Sequence, residues 1–315
     1  PLTNLSIAYR QSDAGFVSED VFPVVPVQKQ SDAYYIFDRA DWNRNTMQKR
    51  ARAAESAGGG YRVSNDTYFA HVWALHKDIA DIDRSNADSM FKPDSDATMW
   101  LTDQLRMNRE KEFASTYLAT GVWGLDLAGT ASSPTLGTSF LQWSDPNSTP
   151  VQDIRYAMRR LQVASTLKAN TLTVTIETWH ALMDHPDILD RIKGAASPSS
   201  PAVVQRQAIA GILELDRILV MESVENTAGE NLTESNAYIG SKKALLTHSA
   251  KSPGLNTPSA GYTFAWNGYL GGSLNQVIRR FRMEHTLSDR VEIETAYVKK
   301  VTGSSLGVYF SSAVA

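Results

Sequence analysis

Residues 32–80 limit this chain more than any other stretch. Two aromatic-rich segments, DAYYIFDRADW and YRVSNDTYFAHVWALHKDI, flank an eighteen-residue tip, NRNTMQKRARAAESAGGG. Tyr34, Tyr35, Ile36 and Phe37 on one flank, and Val63, Tyr68, Val72 and Trp73 on the other, favour extended backbone. The tip has no apolar period and ends on three glycines that break a helix. The pattern predicts a long hairpin over 32–80. An isolated two-stranded ribbon is marginal in water, so its aromatic side chains require a covering surface. That surface is either a neighbouring subunit or the chain's own domain, and this segment leaves both open.

Arg44, Lys49, Arg50 and Arg52 against the single Glu55 give the tip a net charge of +3. The plainer reading is a solvated loop. The sharper one is a docking element whose arginines fix register through carboxylates of an adjacent copy. The acidic stretch 78–88 and Glu110 and Glu112 are the receiving groups considered.

Composition narrows the classes. The chain has 315 residues, 42% apolar and 21% charged, which predicts a globular protein about two domains long. A net charge of −3 argues against a dedicated nucleic-acid binder. With no cysteine there are no disulfides, thiolate metal sites or cysteine nucleophiles. No stretch approaches eighteen apolar residues, and PLTNLSIAYRQSD is unlike a signal peptide, so a cytoplasmic origin without a membrane partner is expected.

Strands and helices are interspersed without regular βα alternation, which points to an α+β class. Residues 1–31 contain VFPVVPVQK, whose Pro23 and Pro26 hold the backbone extended, as in an arm lying across a surface. Asp94 or Ser95 is placed to cap a helix of about 25 residues ending at Gly121. Ala97, Trp100, Leu101, Leu105, Phe113, Tyr117 and Leu118 form its apolar stripe, and Arg106, Arg109, Glu110 and Lys111 its polar face. Residues 124–149, rich in Gly, Ser, Thr and Pro, read as an exposed connection. Beyond them come a helix capped by Thr149 with Pro150 in its first turn, the strand TLTVTI, and a helix opening at ETWHALMDHPDIL. A Ser/Pro loop is expected over 195–203, and VEIETAYVKKV alternates as a strand that pairs near the long helix.

No enzymatic constellation emerges. His180 and His185 are five apart, with Pro186 following, so they do not share a helix face as two i, i+4 ligands would. A polar helix surface explains them better. His71 and His76 point to opposite faces of a strand. Asp78, Asp81, Asp83 and Asp88 lack the order of a calcium loop. There is no P-loop or GxGxxG. No catalytic, cofactor or metal residue is therefore assigned.

The order of an extended arm with VFPVVPV, a long basic-tipped hairpin, a long amphipathic helix, TLTVTIETWHAL and a terminal VEIETAYVKKV resembles the major capsid proteins of tailed double-stranded DNA phages. These share the Hong Kong-type capsid fold. The likeness covers almost the whole chain through element order rather than one diagnostic motif, and Trp179 sits after its strand as a tryptophan does in several members. It implies an N-terminal arm (1–31), an extended loop (32–80), a peripheral domain (81–149 with 276–315, spine helix about 95–120) and an axial domain (150–275). It also implies a structural protein forming an icosahedral shell of hexamers and pentamers around DNA, assembled in the bacterial host cytoplasm. Scaffold, portal and cement proteins would be partners, and DNA contact would be weak and sequence-independent. Arg44, Lys49, Arg50, Arg52, Phe22, Val24, Glu110 and Glu112 are the expected inter-subunit contacts. The alternative is an encapsulin-like nanocompartment shell, and a soluble hydrolase is a distant third.

Overall fold

The computed structural model describes residues 10–87, 92–195, 206–270 and 276–315. Two larger sheets organise it, each drawing strands from distant parts of the chain. After a short helix α1 (Ser18–Val21), the chain forms β1 (Val24–Val27), β2 (Ser31–Phe37), the single turn α2 (Arg39–Trp42), β3 (Val63–Phe69) and β4 (His71–Ala80). Then come α3 (Asp81–Asn86) and the long α4 (Pro93–Tyr117). β5 (Leu125–Thr130), β6 (Ser139–Leu141), α5 (Pro150–Ser165), β7 (Thr171–Thr175), α6 (Ile176–Asp184), α7 (Pro186–Ala195) and α8 (Arg206–Ile212) follow. The remainder comprises β8 (Arg217–Met221), β9 (Val224–Asn226), β10 (Asn236–Tyr238), β11 (Ala244–Thr247), β12 (Gly261–Trp266), α9 (Asn267–Leu270), β13 (Gln276–Met283), β14 (Ser288–Val301) and β15 (Gly307–Ser311).

The six-stranded sheet runs β6-β5-β15-β11-β7-β8. Its central strands are buried on both faces because both faces are covered. Ala244, Leu246, Val308 and Phe310 point into a core with Val151, Ile154 and Leu161 of α5 and Trp179 and Leu182 of α6. Leu245 and Tyr309, one residue out of phase, point the other way. There they meet Val17, Val21 and Phe22 of the arm and Phe113 and Tyr117 near the end of α4. Gly307 opens β15 against the indole of Trp123, and a Cβ at that position would fall inside the ring.

In the five-stranded sheet β14 is the shared member. Its first half pairs with β13 on one edge and β4 on the other, and its second half pairs with β12, which carries β1 in parallel. The first half of α4 lies on it through Ala97, Leu101 and Leu105 against Ile79, Val291 and Ile293. At 1.5 Å per residue α4 is about 37 Å long and reaches from this sheet to the second face of the other.

Several expectations change. The ribbon proper is β2 with β3, while 71–80 leaves it to pair with β14. Residues 124–149 are not simply an exposed connection: β5 and β6 extend the six-stranded sheet, and Phe140 and Trp143 are buried in its core. Helix α4 begins at Pro93 rather than behind an Asp94 or Ser95 cap, because Asp94 pairs instead with Arg84 at 2.9 Å. Trp100, placed on the apolar stripe, is partly exposed and lies under Lys77. Thr149 does precede α5, but its side chain makes no capping bond. The expected Ser/Pro loop falls almost wholly outside the described residues.

Candidate assembly surface

Alternation in the β2–β3 ribbon separates two surfaces. Tyr34 pairs with Asp66 and Asp32 with Tyr68, so Tyr34, Asp66 and Tyr68 share one face. That face lies on the chain's own five-stranded sheet. Tyr68 stacks on Phe264 with ring centroids 4.6 Å apart, and Tyr34 approaches the same ring at 5.4 Å. The Tyr34 hydroxyl donates to Asp66 at 2.8 Å, and Lys300 reaches the same carboxylate at 2.9 Å. Lys300 draws the Asp66 carboxyl below its ordinary range, while burial pushes the Tyr34 hydroxyl up. The base of the ribbon is therefore folded back onto its own subunit.

Its far end is different. Phe37, Trp42 and Tyr61 pack on one another, with centroids 5.3 to 5.6 Å apart. Trp42 and Tyr61 are each 58% exposed. The cluster is held in shape locally. Asp38 accepts from the Ala40 amide at 2.8 Å to start α2, and Arg62 bridges Asp38 at 2.6 Å and Asp41 at 2.7 Å across the two flanks. Beyond it lie all four basic residues expected at the tip, each exposed. Arg44 is 3.6 Å from Asp41 and Arg50 donates to the Ala54 carbonyl at 2.6 Å. Lys49 and Arg52 have no hydrogen-bond or ion-pair partner among the described residues.

Ahead of β1, which pairs in parallel with β12, the arm is fastened to α4 by side chains. Arg10 meets Asp103 at 2.7 Å, and Asp13 and Glu19 pair with Arg106 and Arg109. Glu110 completes the seam: its two oxygens accept from the Val17 amide at 3.2 Å and the Ser18 amide at 2.9 Å, at the start of α1. This removes two of the expected inter-subunit residues. Glu110 is wholly buried, and burial pushes its carboxyl up against the pull of those amides. Phe22 is spent in the second core, 4.7 Å from the Tyr117 ring. Glu112 is half-buried beside Lys299, whose own buried ammonium donates to the Arg109 carbonyl and is pulled down by burial. Val24 remains exposed on the sheet edge.

Two carboxylates of the acidic stretch 78–88 are also occupied. Asp78 takes Arg290 and Asp81 takes Arg282, each through two hydrogen bonds of 2.6 to 2.8 Å. Nearby, Arg280 and Arg84 converge on Asp289 and hold its carboxyl down to about 2. Asp88 lies outside the described residues. These arginines of β13 and β14 neutralise the carboxylates within the subunit. Sequence reasoning missed the pairing because it depends on register between strands some two hundred positions apart.

His180 is exposed, but His185 is buried, contrary to a shared polar surface. Its Nδ1 accepts from the Asp187 amide at 3.1 Å, so the proton sits on Nε2, near the Asp145 carbonyl at 3.1 Å and Ser148 Oγ at 2.9 Å. It joins α6 to α7. Among the described residues no three His, Cys, Asp or Glu side chains group to hold a metal ion, and no helix is long and apolar enough to cross a membrane.

No family model matches the chain. It is 25% identical over 316 residues to the major capsid protein of Pseudomonas phage JBD67, covering 100% of this chain and 96% of that one. To the major capsid protein of Burkholderia phage BcepMu it is 23% identical over 274 residues, covering 85% and 83%. A phage-related protein from Bordetella bronchiseptica RB50 superposes with a TM-score of 0.67 at 18% identity, over 97% of this chain and 94% of that one. The capsid of cyanophage P-SCSP1u gives 0.64 at 11%, over 98% and 91%. A virus-like particle from Pyrococcus furiosus gives 0.56 at 12%, over 93% and 91%. The fold is the α+β Hong Kong-type capsid fold.

Proposed function

We infer that this chain is the major capsid protein of a tailed phage, the repeating subunit of an icosahedral shell around double-stranded DNA. The observation that carries this is the full-length similarity to phage major capsid proteins on a chain with the capsid fold. The physical work is assembly. A subunit whose ribbon ends in an exposed aromatic cluster and a cationic tip has surface left over after folding, and in a shell every copy presents it to a neighbour.

Within this reading, Arg44, Lys49, Arg50, Arg52 and Val24 contact neighbouring subunits in hexamers and pentamers. Scaffold and portal proteins, and a cement protein, are the expected accessory partners during assembly in the host cytoplasm. Contact with the packaged DNA is weak and sequence-independent, since the chain carries a net −3. The nanocompartment alternative is a shell of the same fold. The two full-length relatives favour the phage shell.

The test is electron microscopy and light scattering of the expressed protein, alone and with a scaffold protein. Closed shells or capsomers are expected. A compact monomer under every salt and scaffold condition overturns the reading.

A further inference from the structure

Asp78, Asp81 and Glu110, among the acids first considered as receivers for the cationic tip, are engaged within the subunit, which directs attention to other acidic surface. Residues 224–238 form a second projecting hairpin, β9 with β10, closed by AGENLTES. Glu225, Glu230 and Glu234 with no lysine or arginine give it a net charge of −3, equal and opposite to the +3 of the tip. Glu225 is partly satisfied by Lys111 of α4 at 2.5 Å, and Glu234 accepts only from the nearby Asn236 amide group. Glu230 has no ion-pair partner among the described residues. The same hairpin exposes apolar surface: Leu232 is 72% exposed, and Tyr238 stands out from β10. It therefore offers both kinds of group that the ribbon end presents, carboxylates for Lys49 and Arg52 and an apolar patch for Trp42 and Tyr61.

Its base is fixed, as a receiver should be. Gln11 of the arm exchanges two hydrogen bonds with Val224, at 2.6 and 2.9 Å, and Lys111 ties β9 to α4. No hydrogen bond or ion pair joins the tip to this hairpin within one subunit. We propose that the ribbon tip of one subunit docks on the β9–β10 hairpin of a second copy. This rests on the shell reading and deepens it by naming the receiving surface. Made one way around a ring, the contact is heterologous, running head to tail, and it closes where the rotation between copies closes. Opposed charge would set register and encounter rate, and the aromatic end would exclude water from the contact.

The test is a charge exchange in full-length protein. Lys49→Glu with Arg52→Glu moves the tip from +3 to −1, and Glu230→Lys with Glu234→Lys moves the hairpin from −3 to +1. Each pair alone should lower the yield of closed particles about tenfold, since like charges then face each other. The four changes together should return it to within about threefold of wild type, a coupling that independent sites would not show. Normal yield from either pair alone, or no recovery in the combined protein while circular dichroism shows folded subunits, overturns the proposal. If a reversal unfolds the subunit, glutamine at the same four positions supplies the comparison: each neutralised pair should still reduce yield, and an unchanged yield overturns the proposal. Shell formation by the wild type is scored separately, so failure of this contact is distinct from failure of the shell reading.

Discussion

Strands β7 and β4 show two ways of stabilising a sheet. All five residues of β7 are buried, whereas eight of the ten in β4 are exposed. Around β7, helices α5 to α8 cover one face of the six-stranded sheet while the arm and the end of α4 cover the other. Fully burying one side chain such as Phe22 or Leu246 contributes about 1.5–3 kcal/mol, so this region needs no other molecule. Around β4, strands are joined by ion pairs such as Asp78 with Arg290 and Asp81 with Arg282. Exposed pairs contribute about 0–1 kcal/mol each. The first region stores the stability of the subunit. The second holds a shape and leaves surface for a neighbour.

That contrast breaks first, if it is wrong, at Trp143. It is wholly buried and packs against Phe140 and Phe310 at 5.2 Å from each, with its indole N–H donating to Asp153. Trp143→Ala should cost about 3–5 kcal/mol in urea unfolding of the dissociated subunit. A loss below about 1 kcal/mol would mean that the six-stranded core is not where stability resides.

Glu110 lies on the seam between the regions, and its effect should be intermediate. Glu110→Gln turns one hydrogen-bond acceptor into a donor facing the Val17 or Ser18 amide, at about 1–3 kcal/mol. Limited proteolysis should then cut the arm faster while α4 stays protected. Unchanged arm cleavage would show that the ion pairs of Arg106 and Arg109 fasten the arm without it.

The smallest effect on folding belongs to the ribbon. Trp42→Ala should leave subunit stability within about 0.5 kcal/mol yet lower particle yield. If the subunit itself is destabilised by more than that, the aromatic cluster packs into its own domain and the division between the regions is misplaced.

Sequence made the periodic elements legible. The apolar spacing of Ala97, Leu101, Leu105, Phe113 and Tyr117 marked α4, and the alternation of VEIETAYVKKV marked β14. Periodicity fails where a residue is buried for its partner rather than its hydrophobicity. Glu110 read as part of a polar face, but the helix turns that face toward the arm, whose free amides need an acceptor. Phe22 sat beside two prolines in what looked like an interfacial arm, and nothing local distinguishes an aromatic buried by its own chain from one buried by another. Residues 124–149 carried turn chemistry, so the parallel strands β5 and β6 were hidden in it; their pairing depends on β15, nearly two hundred positions later. The tip was visible as a charged loop because charge needs no register to be counted. The proposed receiver was not, since it rests on knowing which carboxylates had already found arginines.

The position of β15 also governs when the molecule can become whole. It lies between β5 and β11, and it is the strand through which the β6-β5 pair meets the β11-β7-β8 group. Both groups are synthesised before it. Without Gly307–Ser311 the edges of β5 and β11 have no partner, and the six-stranded sheet divides into two half-sheets with open edges rather than losing one strand from its rim.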